Sequence, residues 1–263
     1  MCAHVPRSTT VTTSSCKARG SFKIVRPPST GQDREARSFP TMSGPYEILS
    51  PPPKDRGWDV AELTYGLRVL HSEIQRCHRC PGLNEPGVTG SAPGRGPVNA
   101  PIVLVGQSLC RRCMETQVPF TGGCGRLLDE VSRSSNLSRA EVFVTNAVHC
   151  HPPGNRPSLP QERLNCRSYL RRELILVHPT LVVGLGKDAQ LSIEEIVGAS
   201  SARSETEEAG LARNSWQLFS LYVKHPSHML RRPERERKTY ISLLSGALRW
   251  AAYQHSLPSR IED

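Results

Sequence analysis

VFVTNAVHCHPPGNRP, Val142 to Pro157, opens as a β-branched apolar run, passes through Thr145 and Asn146, and ends in a cysteine and a proline-glycine loop. A short run this apolar, bounded by loop-forming residues, reads as a strand buried on both faces. Three similar runs surround it: IVLVG at Ile102 to Gly106, LVVGLG at Leu181 to Gly186 and LFSLYV at Leu218 to Val223. Helical patterns cover Asp59 to Arg76, Gly123 to Ser134, Pro160 to Val177, Lys187 to Val197 and Pro233 to Tyr253. Apolar strands alternating with helices need cover on both faces, so an α/β fold is expected: a three-layer α/β/α sandwich around a short, mainly parallel four-stranded sheet. Ser200 to Asn214 is polar and charged and reads as a surface loop between the third and fourth strands. In open sheets of this kind the active groups gather at the carboxyl ends of the strands, where Gly106, Gln107, Asn146, Gly186 and His225 fall.

The cysteines add a second constraint. Cys77 and Cys80 form a CxxC pair, and Cys150 and Cys166 flank the HPPGNRP loop. A close pair plus two distant thiols suggests one metal site stapling separate segments. Cys166, Leu170, Leu174 and Val177 mark one helical face, so Cys166 is expected to point inward, either as a ligand or as an ordinary buried thiol. Cys110 and Cys113 make a second CxxC, which together with Cys77 and Cys80 also admits a four-thiolate zinc site. Cys2, Cys16 and Cys124 read as incidental.

The blocks VLVGQ, VPFTGGCGRLLDE, VFVTNAVHCHPPGNRP, LNCRSYLRREL, LVVGLGKDA and VKHPSHMLRRP, in that order, resemble the iron–sulfur uracil-DNA glycosylases, most closely family four, with family five or a related subgroup as the neighbouring reading. The resemblance runs from Cys77 to about Trp250. It implies a glycosylase that hydrolyses the N-glycosidic bond of uracil in DNA, with a structural 4Fe–4S cluster on Cys77, Cys80, Cys150 and Cys166; four thiolates suit such a cluster. It places Asn146 as the residue that reads the pyrimidine edge, with Gly106 beside it and Phe120 stacking on the flipped base. His225 then donates to the uracil O2. A carboxamide matches N3–H and O4 of uracil, but turned by half it matches cytosine, so neighbouring hydrogen bonds are expected to hold its orientation.

The chain departs from that family at one motif. Where family four reads GEAPG, with a Glu placed for the attacking water, this chain has Gly106-Gln107-Ser108-Leu109-Cys110. Gln107 cannot take a proton, although its carbonyl can orient water. Loss of general-base assistance typically costs about 10²–10⁴-fold, so slow catalysis or an altered lesion is expected. A DNA-binding relative that recognises damaged bases without efficient cleavage is the rival from another class. Arg156, Met229, Leu230, Arg231 and Arg232 are the expected DNA contacts, with Met229 and Leu230 either wedging into the duplex or forming the first buried turn of the last helix.

Bulk composition frames these readings. The net charge is +10, and residues 1–58 hold 9 Lys or Arg against 4 Asp or Glu, which places +5 of it in a Ser-, Thr- and Pro-rich segment without apolar period. That segment is expected to be a disordered basic tail, either a transit peptide or a misassigned start with Met42 as another initiator. Residues 59–255 then form the catalytic domain and 256–263 a C-terminal tail. No apolar run approaches the roughly 18 residues that span a bilayer. A monomer acting on DNA with uracil or other deaminated bases is expected, without a membrane partner, in the cytoplasm, nucleoid or an organelle.

Overall fold

The computed structural model describes residues 23–25, 59–203 and 218–256. The expectations for the tails, 1–58 and 256–263, therefore fall outside the described residues except at 23–25 and 256. The strands are β1 (Lys23–Val25), β2 (Ile102–Ser108), β3 (Val142–Val148), β4 (Leu181–Leu185) and β5 (Phe219–Val223). The helices are α1 (Val60–Gln75), α2 (Arg111–Thr116), α3 (Gly123–Ser134), α4 (Pro160–Val177), α5 (Lys187–Arg203), α6 (Pro226–Met229) and α7 (Glu234–Ser256). The strand order is β1-β5-β4-β2-β3; β2 to β5 run parallel, and β1 lies antiparallel along β5 at the edge.

The parallel four are those expected, but the sheet has five strands rather than four. Lys-Ile-Val at β1 is too short to carry an alternation that marks a strand, and its pairing partner is distant in sequence. Helix α5 runs on to Arg203, into the stretch from Ser200 that reads as a loop. Helices α2 and α6, of 6 and 4 residues, are shorter than an apolar period can reveal.

The pleat of β2 divides the core. Val103 and Val105 face one layer, with Leu67 and Leu70 of α1, Leu170 and Leu174 of α4 and Ile193 of α5. Ile102 and Leu104 face the other, with Leu128 and Val131 of α3 and Leu244 and Leu248 of α7. Both faces of the sheet are therefore dry, as apolar parallel strands require. Cys166, Leu170, Leu174 and Val177 are all buried, as their helical spacing implies. Asp59 caps α1, its Oδ1 accepting from the Ala61 N–H at 2.7 Å, and Pro160 opens α4 at a position whose missing N–H costs nothing.

The α7 register is directly testable. Leu244 is fully buried and Leu243 is 46% exposed. Leu244→Ala should destabilise the fold by about 2–5 kcal/mol, and Leu243→Ala by no more than about 0.5 kcal/mol. Equilibrium urea unfolding of the two variants checks this; equal losses would put the helix in the wrong rotation.

Candidate active site

Parallel pairing sets Gly106 of β2 directly beside Asn146 of β3. A side chain at position 106 has no room: its Cβ would lie 2.5 Å from Asn146 Oδ1 and 2.6 Å from Phe120 Cζ. The absence of a Cβ is therefore what lets the carboxamide and the aromatic ring close on one another. Asn146 is 4% exposed, yet its carboxamide makes no hydrogen bond among the described residues. The expected neighbours that hold its orientation are thus not found there, and its donors and acceptor remain free for a ligand.

Phe120 sits at the turn before α3 with φ +58°, a left-handed conformation that costs an aromatic residue of order 1–3 kcal/mol. Arg139 holds that turn. Its guanidinium donates to the carbonyls of Pro119 (3.2 Å), Phe120 (3.4 Å) and Gly125 (3.3 Å), and to Asp129 at 2.8 Å. The Phe120 ring then lies 6.3 Å from the His225 ring, centroid to centroid.

His225 follows β5 and caps α6. Its Nδ1 accepts from the Ser227 main-chain N–H at 3.2 Å and lies 2.8 Å from the Ser227 hydroxyl. With Nδ1 accepting, the proton of the neutral ring sits on Nε2, which becomes the donor. Burial holds the imidazole below the ordinary histidine range, so the neutral form prevails near pH 7. Gly186, at φ +98°, ends β4 against this ring; a Cβ there would stand 3.2 Å from His225 Cβ. Gln107 lies next to Gly106 and donates through Nε2 to the Arg156 carbonyl at 3.3 Å, which leaves Oε1 as an acceptor.

The four thiols expected together line one small cavity: Cys77 and Cys80 after α1, Cys150 after β3 and Cys166 on α4, with Arg79, Leu83, Asn84 and Asn165. Burial raises the Cys150 thiol above its ordinary value, and the charges of Cys166, Cys77 and Cys80 raise it further. Holding all four as thiolates thus needs compensating positive charge. Donors surround them. Asn165 Nδ2 bonds Cys80 Sγ at 3.3 Å, and the Tyr169 hydroxyl and the His149 ring lie close enough to Cys77 and Cys166 to interact with them electrostatically. No three His, Cys, Asp or Glu among the described residues crowd as they do around one ion. Thiols around a polynuclear cluster stand further apart, so this donor set fits a Cys₄ iron–sulfur cluster. Cys110 and Cys113 are joined to each other as a disulfide, so the four-thiolate zinc site with Cys77 and Cys80 is not formed.

The expected DNA-facing residues divide. Arg231 and Arg232 are exposed and line a shallow cavity with Ser227 and His228; Arg232 is paired with Glu236 at 2.8 Å. Leu230 is 40% exposed, but Met229 is buried in the core beneath α7, because the α6 turn rotates it inward. Met229 is therefore not a surface tip. The Arg156 guanidinium is committed to Glu162, at 2.6 and 3.0 Å, rather than standing free for phosphate.

Sequence reasoning missed the group that ties the pocket to the thiols. Glu173 of α4 is fully buried and accepts from Gly94 N–H (2.8 Å), Thr145 Oγ1 (2.6 Å) and His149 Nε2 (3.1 Å). Burial alone would lower the His149 pKa, but the Glu173 charge and the hydrogen bonds outweigh it and hold the ring protonated well above the ordinary range. The only signal was an acidic residue on the buried face of a helix.

Comparison with known proteins agrees with this geometry. The family model of the Uracil DNA glycosylase superfamily matches residues 93–249. A type-4 uracil-DNA glycosylase of Archaeoglobus fulgidus is 33% identical over 167 residues, 62% of this chain and 82% of the relative. One from Pyrobaculum aerophilum is 28% identical over 172 residues, 64% and 86% of the two chains. A type-5 uracil-DNA glycosylase of the same organism is 44% identical over a shorter span of 72 residues, 27% and 31% of the two.

Removing Glu173 leaves the His149 charge buried and unpaired, so Glu173→Ala should cost about 3–5 kcal/mol. The sign with pH follows from the two directions. His149, raised, contributes fully below its unfolded value of 6.5 and loses that contribution as pH rises through its folded value. Glu173, lowered, contributes above its unfolded 4.5 and loses it as pH falls. The difference between wild type and Glu173→Gln should therefore be largest between pH 4.5 and 6.5 in urea titrations. A difference that grows steadily toward pH 9 contradicts the pair.

Proposed function

Since this chain belongs to the uracil DNA glycosylase superfamily, we propose that it hydrolyses the N-glycosidic bond of uracil in DNA, releasing the base and leaving an abasic site. The observation that carries this is the approach of the Asn146 carboxamide and the Phe120 ring over Gly106 at the ends of β2 and β3, which sets a free carboxamide edge beside an aromatic face and which we read as a slot for one planar base. A base in duplex DNA must leave the stack to enter such a slot. Phe120 stacks on it, and Asn146 accepts from N3–H and donates to O4. The Nε2–H of neutral His225 points its hydrogen bond at O2, where negative charge develops as the C1′–N1 bond breaks. Water delivers hydroxide to C1′ and the remaining proton goes to the departing uracil. Gln107 orients that water through Oε1, because its Nε2 is held by Arg156. Arg231 and Arg232 meet the phosphates, and Leu230 stands where it fills the gap left by the flipped base.

The relatives named above are glycosylases, and a binder without cleavage is not favoured. Asn146→Ala should lower single-turnover uracil excision by about ten- to a hundred-fold while non-specific DNA affinity, which is mostly electrostatic, stays level. Unchanged excision removes Asn146 from the slot. Gln107→Glu supplies a proton acceptor and should raise the rate by about ten-fold or more. A fall instead means that the bond to the Arg156 carbonyl, which a carboxylate cannot make, outweighs the base.

We further propose that Cys77, Cys80, Cys150 and Cys166 hold a 4Fe–4S cluster whose work is structural: it ties α1, β3 and α4 together beside the slot. Protein purified without oxygen should be brown, with about four irons per chain. Stoichiometric zinc in a colourless protein excludes the assignment.

A further inference from the structure

The second CxxC belongs neither to the base slot nor to the thiol cavity, yet it lies on the segment that joins them. At one end, the Leu109 N–H donates to the Cys150 carbonyl at 3.3 Å, and His151 Nδ1 donates to the Leu109 carbonyl at 2.9 Å. At the other, the sulfurs of Cys110 and Cys113 both stand 3.9 Å from the carbonyl oxygen of Thr121, the residue after Phe120. Val118 N–H donates to the Cys113 carbonyl at 3.2 Å, and the Thr121 hydroxyl to Val118 at 2.7 Å. Leu109, Cys113, Met114 and Ala92 form a small apolar cluster with Cys110, separate from the two main cores. What happens at the two sulfurs is therefore felt first by residues 107–121.

A bridge across only three positions removes little freedom from the unfolded chain, so it contributes little to global stability. Its consequence is local shape. Disulfides in proteins that handle DNA inside cells are usually transient or redox-sensing. The chemistry of the pair suits exchange. Cys110 is half-buried rather than enclosed, exposed Arg111 and Arg112 follow it, and the Cys113 N–H donates to Cys110 Sγ at 3.1 Å. That N–H donor stabilises the thiolate that Cys110 becomes on release.

We propose that Cys110–Cys113 is a thiol–disulfide exchange site for an external dithiol, and that its oxidised form holds residues 107–121 in the shape that excises the base. The second half rests on the slot described above being the glycosylase pocket. A thiolate of the dithiol attacks Cys110 Sγ, and Cys113 leaves as a thiolate and takes a proton. The second thiol of the reductant then attacks its own sulfur in the mixed disulfide and releases Cys110. Two electrons and two protons pass to the protein, and the dithiol becomes a cyclic disulfide. Reduction removes the cross-link and creates two S–H donors within reach of Thr121 O, which repositions the turn that carries Phe120.

The test uses the full chain in dithiothreitol redox buffers under argon, with alkylation and peptide mass for the state of Cys110 and Cys113. Amide hydrogen exchange of 107–121 and single-turnover uracil excision are measured in the same samples. A bridged peptide should give way to a doubly alkylated one, with exchange of 107–121 about ten-fold faster and excision at least five-fold slower. Cys110→Ser and Cys113→Ser should stay at the reduced rate in every buffer. A peptide never bridged, or equal exchange in both states, overturns the proposal. So does a redox response that survives in Cys110→Ser, since the effect then belongs to other sulfurs. Excision absent in both states overturns the pocket reading and the coupling with it, while alkylation and exchange still decide the exchange site.

Discussion

Glu173 is the constraint on which both halves of the site depend. A carboxylate with no access to water survives only if its lone pairs are filled, and here an amide, a hydroxyl and an imidazole fill them. Two of those donors, Thr145 and His149, lie on β3 and just past it, bracketing Asn146. Alternation along the strand sends Thr145 toward α4 and Asn146 to the opposite face, into the slot. Since Cys166 lies two turns before Glu173 on the same helix, the carboxylate also fixes how α4 presents that thiol to Cys150. One buried ion pair thereby links the strand that carries Asn146 to the helix that carries Cys166.

The slot itself is built by subtraction and by clamping. Removing the Cβ at Gly106 lets Asn146 and Phe120 approach, and Arg139 binds the carbonyls that keep Phe120 in an unfavourable backbone region. The strain sits at the proposed base site, and the Arg139 hydrogen bonds offset it from the far side of the turn. Such a turn is preorganised: the aromatic face is in place before a base arrives, which lowers the ordering cost of binding.

Much of this was legible in the sequence because it follows from periodicity and order. Apolar runs at Ile102, Val142, Leu181 and Leu218 marked the parallel strands, and the blocks around Asn146, Phe120 and His225 marked the strand ends that meet. Groups whose meaning depends on a partner far along the chain were not legible. Glu173 has no readable role, even on the buried face of its helix, until Thr145 and His149 are seen beside it, and Arg139 is one cation among many until the Phe120 carbonyl is placed. Arg156 looked free for phosphate because nothing in HPPGNRP announces that Glu162, on the next helix, will accept both its nitrogens. Met229 stood open between a surface tip and a buried turn because α6 is too short to show which way its turn rotates.

The side chains assigned to the base in the proposed site are uncharged. Asn146 and Gln107 carry amides, and burial with the Ser227 N–H keeps His225 neutral with its proton on Nε2. An uncharged slot stabilises charge that appears only as the bond breaks, which is the kind of interaction that lowers a barrier without tightening the ground state. The burden of catalysis therefore falls on the leaving base, and less is asked of water activation. In the proposed division of labour a Gln at position 107 is tolerable: it gives up proton abstraction, keeps Oε1 as an acceptor, and adds no charge to compete with the departing anion. The fixed charges nearby, Glu173 with His149 and Glu162 with Arg156, are each neutralised by their partners. The field in the slot is thus left to oriented dipoles, and their orientation is what the buried network preserves.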